Sequence, residues 1–387
     1  MPADPIRLRG IAWNHTRGFT PMVATAQRYG ELHPEVEIRW ERRSLQAFAD
    51  APIEVLAASF DLLVIDHPFA GFAAQHPEVL LDLAGHAPAA LLADHAANSV
   101  GASHASYEYA GRRCALAIDA ATPVAGWRED LLARHRISPP TTWEELLELA
   151  RHGFVAVAGI PVDCLMSFFM FCHTQGEEPC TGPERVVSQD AGRAALALQR
   201  DLMSLLPAAA WARNPIRVWD SLAHGDNRPC LCPFAYGYSN YARAGYAPHV
   251  LRFGSPVAFH GQRLRPTLGG TGLAVSARCA HPAVALDYAA CVAGADWQRT
   301  LYFESGGQPA HRSAWLDPEV NRRANRFFAD TLATLDESWV RPRYAGYLSF
   351  QDRGGEIVRD FLLGKSDDRS ALAALDRAYR QSRNPDP

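Results

Sequence analysis

The stretches IRLRGIAW at residues 6–13 and FDLLVID at 60–66 decide how this chain is interpreted. The second is a continuous apolar run of the kind that is buried inside parallel sheets. VEIRWERRS at 36–44 predicts a strand between them, and helical connections are predicted from about residue 20 to residue 32 and within FADAPIEVLAAS at 48–59. The N-terminal part therefore predicts a βαβαβ unit, whose ligand crevice lies at the carboxyl ends of the strands.

The length and composition predict a soluble protein with two lobes. The chain has 387 residues, which exceeds the size at which one hydrophobic core usually stops growing. Its hydrophobic fraction of 48%, its charged fraction of 21% and its net charge of -4 argue against a nucleic-acid or anionic-membrane partner.

Motifs of several enzyme classes are missing from the sequence. Lys365 is the only lysine and lies in a polar stretch, which disfavours Schiff-base chemistry or a phosphate-binding lysine. The histidines form no HExxH motif, the cysteines form no CxxC pair, and no GxSxG motif occurs. We therefore expect no metal, no cofactor and no catalytic nucleophile.

The N-terminal sequence MPADPIRLRGIAWNH carries charges where a secretory signal needs an apolar region, and no run reaches the ~18 apolar residues of a membrane span. The eight cysteines are scattered among apolar residues, so we expect buried small hydrophobes more than disulfides. Both features favour the cytosol, or a protein whose export signal is missing from this sequence.

Further elements can be predicted along the middle of the chain. RRCALAID at 112–119 predicts a short strand. Thr142 and Glu145 have the spacing of a capping box that begins a helix, and Gly153 ends it. Residues 154–233 alternate apolar stretches with loops and allow few assignments.

The C-terminal part predicts one strand and three helices. LGGTGLAVSA at 268–277 reads as a strand interrupted by glycines. Helices are predicted after a cap at His281 with Pro282 in the first turn, from residue 296 to residue 306, and at 368–381.

Four blocks occur in a characteristic order: YGELHPEVEIRW (29–40), the strand and "TWEEL" helix region 115–150, the glycine-rich region 234–294, and YFESGGQPAHRSAW (302–315). Their order resembles that of the family 1 extracellular solute-binding proteins of ABC importers, the group that includes maltodextrin-binding proteins. The resemblance implies an α/β, periplasmic-binding-protein-like fold of type II, with two lobes that close over a ligand.

The resemblance also implies three crossovers, so each lobe is discontinuous. The expected crossovers lie near Asp119–Thr122, Leu268–Gly272 and Gly307–Pro309. The expected lobes are residues 1–119 with about 273–307, and about 123–268 with 309–387.

Polar residues at the ends of the first and third strands are candidate ligand contacts. The alternative is a polar turn with the tryptophan in the core, or a solvated loop. Adjacent Asp and His side chains point to different sides of an extended chain, so the spacing does not indicate a catalytic dyad. The candidates are Trp13, Asn14, His15, Arg17, Asp66 and His67.

Residues near the expected crossovers form a second group of candidates. Asp119 contacts the ligand or stabilises a turn, and one of Tyr236, Tyr238 and Tyr241 is expected to stack on a sugar, although their alternation also fits a strand edge. The glycines either present amides to the ligand or only permit the crossover. The remaining candidates are Thr122, Gly269, Gly270, Thr271 and Gln308.

The function expected from the resemblance is capture of a small polar ligand for an ABC permease, by a monomer located in the periplasm or outside the cell. A carbohydrate is favoured, whereas His15, Arg17, His67 and Arg243 would suit an anion. The alternative is a cytosolic sensor or enzyme on the same fold, with Asp66, His67 or Asp119 as acid–base groups.

Overall fold

The computed structural model describes residues 5–43 and 52–383, which form two compact units. Unit 1 contains the described residues of Met1–Ala121, Gly269–Arg322 and Arg343–Ala345. Unit 2 contains those of Thr122–Leu268, Arg323–Pro342 and Gly346–Pro387.

The described strands are, in chain order, β1 (Ile6–Trp13), β2 (Val36–Arg43), β3 (Leu62–Ile65), β4 (Glu108–Tyr109), β5 (Arg112–Arg113), β6 (Leu116–Ala121), β7 (Pro123–Trp127), β8 (Leu231–Tyr236), β9 (Arg252–Gly254), β10 (Ala258–Phe259), β11 (Gln262–Arg263) and β12 (Gly269–Val275).

The described α-helices are α1 (Thr16–Leu32), α2 (Ile53–Ala57), α3 (Ala70–Gln75), α4 (Ala89–Asn98), α5 (Ser103–Ser106), α6 (Glu129–His135), α7 (Trp143–Arg151), α8 (Pro161–Thr174), α9 (Gln189–Met203), α10 (Pro215–His224), α11 (Pro282–Ala293), α12 (Ala295–Trp297), α13 (Arg312–Leu316), α14 (Pro318–Arg323), α15 (Phe327–Asp336), α16 (Tyr347–Leu362) and α17 (Asp368–Arg383).

Unit 1 is built on a five-stranded sheet with the order β2-β1-β3-β12-β6. β1 runs parallel to β2 and β3, as the βαβαβ prediction requires. β12 then enters antiparallel between β3 and β6. All four residues of β3 are buried, which agrees with the continuous apolar run in its sequence.

Several boundaries differ from the sequence-based prediction. α1 begins at Thr16 rather than near residue 20, because His15 caps the helix although histidine is not a usual N-cap residue. The strand predicted at 112–119 is divided into β5 and β6, and β6 continues to Ala121. The helical connection predicted at 48–59 lies partly outside the described residues, and α2 covers its second half.

Unit 2 contains the antiparallel sheet β8-β7-β9. The capping box is confirmed, since Thr142 accepts a hydrogen bond from the N–H of Glu145, whose carboxylate accepts from the N–H of Thr142. α17 is also confirmed and buries one stripe of Leu372, Leu375 and Tyr379. Among the described residues, the structure contains no helix that combines the length and the apolar character of a membrane span.

The cysteines behave as buried apolar residues, as predicted. All eight lie within the described ranges and are free, and six of them are buried, whereas Cys180 and Cys291 are partly exposed. Burial raises the pKa of Cys114 and of Cys164 to about 12, so these thiols stay protonated at neutral pH. A protonated thiol is neither a good nucleophile nor easily oxidised.

We expect Ellman's reagent to modify at most Cys180 and Cys291 rapidly in the native protein, because the other thiols are buried. All eight should react once the chain is unfolded in guanidinium chloride without a reductant. Fewer than eight reactive thiols in the unfolded protein would reveal a disulfide and contradict the prediction.

Candidate functional site

The carboxyl end of β1 leads directly into α1. Trp13 is buried, Asn14 is exposed, and His15 Nδ1 accepts a hydrogen bond from the backbone N–H of Arg17 at 2.9 Å. Burial, together with the nearby Arg17, lowers the pKa of His15 to about 4. His15 is therefore uncharged at neutral pH.

Arg17 and Asp119 form a buried ion pair inside unit 1. Arg17 Nε donates to Asp119 Oδ2 at 2.8 Å, and Arg17 Nη2 donates to Asp119 Oδ1. The two residues are 4% and 1% exposed, respectively. Burial raises the pKa of Asp119, whereas the guanidinium opposes this increase by Coulomb attraction and hydrogen bonding. The positive charge of Arg17 is thus balanced within unit 1.

The predicted residues of β12 and of the 302–315 block gather around the same end of β6. Gly270 has a φ of 109°, and a Cβ there would lie 2.2 Å from the carbonyl oxygen of Asp119. Gln308 Nε2 donates to the carbonyl oxygen of Ala120 at 2.8 Å. Gly270 thus permits the close approach of β12 to β6, a local packing requirement that the sequence analysis weighed as the alternative to ligand contact.

Gly269 and Thr271 flank this close approach. Gly269 is paired with Ala121, and Thr271 is paired with Asp119. The Thr271 side chain is 6% exposed, and its Oγ1 has no hydrogen-bond partner among the described residues.

Asp66 and His67 contact each other, contrary to the expectation for an extended chain. His67 Nδ1 lies 3.2 Å from Asp66 Oδ1, which also accepts a hydrogen bond from the backbone N–H of His67 at 2.8 Å. The reason is that a 3-10 turn begins at His67, and the side chain of Asp66 caps this turn. The His67 side chain is 1% exposed and meets the ring of Tyr107 edge-on.

Thr122 and Tyr236 meet at Thr267 within unit 2. Thr122 Oγ1 donates to the carbonyl oxygen of Thr267 at 3.0 Å, and the Tyr236 hydroxyl lies 2.8 Å from Thr267 Oγ1. Tyr236 is half-buried at the end of β8. Tyr238 is buried, and the Tyr241 hydroxyl donates to Asp220 at 2.6 Å.

A pocket inside unit 2 contains a buried carboxyl that the sequence analysis missed. The pocket has a free volume of about 10 Å³, which is room for about one water molecule. It is lined by Pro123, Ala158, Asp163, Met166, Ser167, Met170, Phe234, Ala235 and Tyr236. Asp163 is 8% exposed, and its Oδ2 has no hydrogen-bond partner among residues 5–43 and 52–383. Burial raises the pKa of Asp163 to about 7.

A sequence signal for Asp163 existed. It is the only carboxylate in PVDCLMSFFMFCHT, the sequence of α8, whose other residues are largely apolar. Carboxylates are seldom fully buried unless they are paired, so a lone Asp in such a helix marks a candidate functional position.

Comparison with solved structures assigns the fold of ABC-transporter solute-binding proteins and confirms the predicted fold class. Maltose-bound MalE3 of T. maritima matches with a TM-score of 0.80 at 16% identity, over 97% of this chain and 99% of that one. A solute-binding protein of Agrobacterium radiobacter K84 in complex with ribitol matches with a TM-score of 0.80 at 18% identity, over 99% of both chains.

A third solved structure extends the range of ligands. A solute-binding protein of Thermotoga lettingae TMO bound with α-D-tagatose matches with a TM-score of 0.81 at 15% identity, over 98% of this chain and 100% of that one. No model of a protein family matches the sequence, and no curated protein sequence matches it.

We expect Asp119→Asn to lower the free energy of unfolding by about 3–5 kcal/mol, because it leaves the buried charge of Arg17 uncompensated. Glu41→Gln is the matched control, since it removes an exposed ion pair with Arg9 from the same unit and should cost less than about 1 kcal/mol. Differential scanning calorimetry measures both changes. Equal effects of the two variants would contradict the importance of the buried pair.

We expect the stability difference between Asp163→Asn and the wild type to depend on pH. A carboxyl whose pKa is raised to about 7 in the folded state contributes stability that is present below its unfolded pKa and lost as the pH rises towards 7. Between pH 5 and pH 8 the variant should therefore gain about 3 kcal/mol relative to the wild type. Denaturant unfolding at both pH values measures the difference in free energy of unfolding between the variant and the wild type. If this difference is the same at pH 5 and pH 8, the pKa of Asp163 is not raised.

Proposed function

We propose that the protein is a solute-binding protein that captures a neutral carbohydrate or polyol and delivers it to an ABC-type importer. The observation that carries this proposal is the match of nearly the whole chain to such proteins, with a TM-score of 0.80 for the maltose and ribitol complexes. The matched proteins are bound to maltose, ribitol and α-D-tagatose, respectively.

The charges of the candidate residues support a neutral ligand. An anion would need an available cation, but Arg17 is balanced by Asp119 and His15 is uncharged at neutral pH. The small pocket beside Asp163 has no basic side chain among its lining residues, whereas a larger, open pocket of unit 2 is lined by acidic residues together with Arg263 and Arg265. A carboxylate repels an anion and accepts hydrogen bonds from hydroxyl groups.

Arg243 is the residue that favours an anionic ligand. Burial, together with Arg323, lowers its pKa to about 10, so it remains a cation at neutral pH. An organic acid or a phosphorylated sugar is therefore the alternative that the binding experiment must include.

The proposed function places the protein outside the cytoplasmic membrane, where an importer collects its ligand. The scattered cysteines of the sequence favour the cytosol. Their burial weakens that argument, because thiols with a raised pKa persist unpaired in an oxidising compartment as well.

An enzymatic function has less support. Among the candidate residues, Asp66 and His67 contact each other as an acid–base pair would, but the His67 side chain is 1% exposed. Asp119 is bound by Arg17 and has no exposed carboxylate oxygen to offer a substrate. A general acid or base must reach the proton that it transfers.

We expect maltose, ribitol or tagatose to raise the melting temperature of the protein, whereas citrate and glucose 6-phosphate should not. A ligand at 100 times its dissociation constant stabilises the folded state by about 2.7 kcal/mol. Chromatography after overnight incubation should recover the sugar unchanged. Stabilisation by an acid alone would refute the carbohydrate assignment, and a converted product would refute the receptor function.

A further inference from the structure

Three histidines form a buried cluster within unit 1. His95 lies on α4, His104 lies on α5, and His311 directly precedes α13. The ring centroid of His95 is 5.6 Å from that of His104 and 6.0 Å from that of His311, and both contacts are edge-on. All three residues are between 3% and 6% exposed. We call them the histidine cluster.

Hydrogen bonds define where two of the rings carry their hydrogens. His95 Nε2 lies 2.9 Å from the carbonyl oxygen of Ala293 at the end of α11, and because a carbonyl only accepts, Nε2 carries the hydrogen. The backbone N–H of Ser313 donates to His311 Nδ1 at 3.2 Å, so the hydrogen of His311 lies on Nε2, which donates to Asp94 Oδ2 at 3.0 Å. A hydrogen added to His311 Nδ1 would therefore remove the cap of α13.

The histidine cluster lies where two segments that are distant in sequence meet. One is the corner segment, residues 94–107, which contains the end of α4 and all of α5. The other is residues 308–316, which lead into α13. The backbone N–H of Val100 donates to the carbonyl oxygen of Ala310 at 3.1 Å, and Ser99 forms a β-bridge with residue 311. The contact between the segments thus combines backbone hydrogen bonds with the buried rings.

The charges around the histidine cluster are balanced while its rings are neutral. Arg113 on β5 donates through Nη1 to the carbonyl oxygen of His104 at 2.7 Å and through Nη2 to Glu108. Arg312 and Arg343 donate to carbonyl oxygens of the corner segment at 3.2 Å and 2.8 Å, respectively. These three arginines are accompanied by three carboxylates, which are Asp82, Asp94 and Glu108. Each proton taken up by the cluster therefore adds positive charge in excess of these carboxylates.

Burial makes protonation of the histidine cluster unfavourable in the folded protein. Burial, together with Arg113 and His95, lowers the pKa of His104 to about 4. Burial also lowers the pKa of His95, although its hydrogen bond to Ala293 opposes the decrease. His104 Nδ1 has no hydrogen-bond partner among the described residues, so no acceptor is in place for an added hydrogen. The neighbouring Cys114 thiol, whose pKa burial raises to about 12, stays neutral in acid.

We propose that the histidine cluster is an acid-sensitive latch, which holds the corner segment against residues 308–316 while its rings are neutral and releases it when they are protonated. A histidine exposed by opening binds its proton at a pH of about 6.5. Each histidine that gains a proton on opening raises the opening equilibrium constant by up to tenfold per pH unit.

The latch is continuous with one end of β6. Gln308 Nε2 donates to the carbonyl oxygen of Ala120 at 2.8 Å, and Pro309 forms a β-bridge with Asp119. These two residues directly precede the segment that contacts Val100. Release of residues 308–316 in acid therefore loosens the packing around the candidate residues at this end of the sheet.

A cluster of three histidines can also suggest a metal site, but the hydrogen bonds argue against one. A metal binds a ring nitrogen through its lone pair, whereas Nε2 of His95 carries a hydrogen and both ring nitrogens of His311 are engaged. Within residues 5–43 and 52–383, no group of His, Cys, Asp and Glu side chains is arranged to hold a metal ion.

Hydrogen exchange followed by mass spectrometry tests the latch in the full chain without any ligand. Exchange rates at pH 6.5 and pH 4.5, divided by the chemical exchange rate at each pH, give the opening equilibrium constant. For the corner segment and for residues 308–316 this constant should rise about 30-fold or more at pH 4.5, because one histidine with a pKa of about 4 when closed and about 6.5 when open contributes that factor. Peptides from α7 in unit 2 report on global unfolding and should change by less than about threefold.

Variants of the histidines separate the latch from other acid effects. His104→Phe keeps an aromatic ring in the cluster but binds no proton, so the rise should become smaller by about tenfold or more. His76→Phe is the matched control, since it replaces a histidine of the same unit whose side chain is 43% exposed, and it should keep the wild-type rise. His95→Gln is a second variant, whose amide can still donate to Ala293, and it should also reduce the rise. Circular dichroism at pH 7 shows whether each variant is folded.

Three outcomes would overturn the latch. The first is an opening constant of the corner segment that is the same at both pH values. The second is an equal rise in α7, which would show that acid unfolds the whole chain. The third is a rise that His104→Phe and His95→Gln leave unchanged, because another group, such as His15, would then be responsible. The measurement uses no ligand, so its result is independent of the proposed function.

Discussion

The arrangement of α1 against β6 in unit 1 depends on the buried ion pair of Arg17 and Asp119. It joins the first turn of α1 to β6, two elements that are far apart in sequence. A charge inside a protein is tolerated only when a partner and hydrogen bonds replace the lost water, and two parallel N–H donors supply both. Around this pair, Gly270 lets β12 approach and Gln308 binds the backbone of β6.

Much of the fold could be predicted from the sequence, because the pattern of apolar residues is local information. β3 follows directly from its apolar run, and the helix start at Thr142 follows from its capping box. α8 was not predicted, because a helix that is buried on most sides shows no amphipathic period. The start of α1 was also wrong, since it depends on a His15 cap that composition does not favour.

The candidate site was less predictable, because it depends on which distant residues meet. The strand ends identified the right neighbourhood, but no sequence pattern reveals that Arg17 and Asp119 satisfy each other. The sequence also does not reveal that the imidazole ring of His67 contacts the carboxylate of Asp66 at the start of a turn. Asp163 is different, because a single carboxylate within an apolar stretch can be recognised in the sequence. Only the structure shows that this carboxyl is buried. Neither the pairing of residues that are distant in sequence nor the burial of a side chain can be read directly from the sequence.

The placement of β12 also has a consequence for biosynthesis. The sheet of unit 1 is completed by β12, in which Leu273 pairs with Val64 of β3. In the sequence, β12 follows residues 122–268, which belong to unit 2. During synthesis on the ribosome, β3 and β6 therefore lack the strand that lies between them, β12, until most of unit 2 has been synthesised. Such long-range closure slows folding. An incomplete sheet with open edges exposes unpaired backbone groups and apolar surface, and chaperones bind states of this kind.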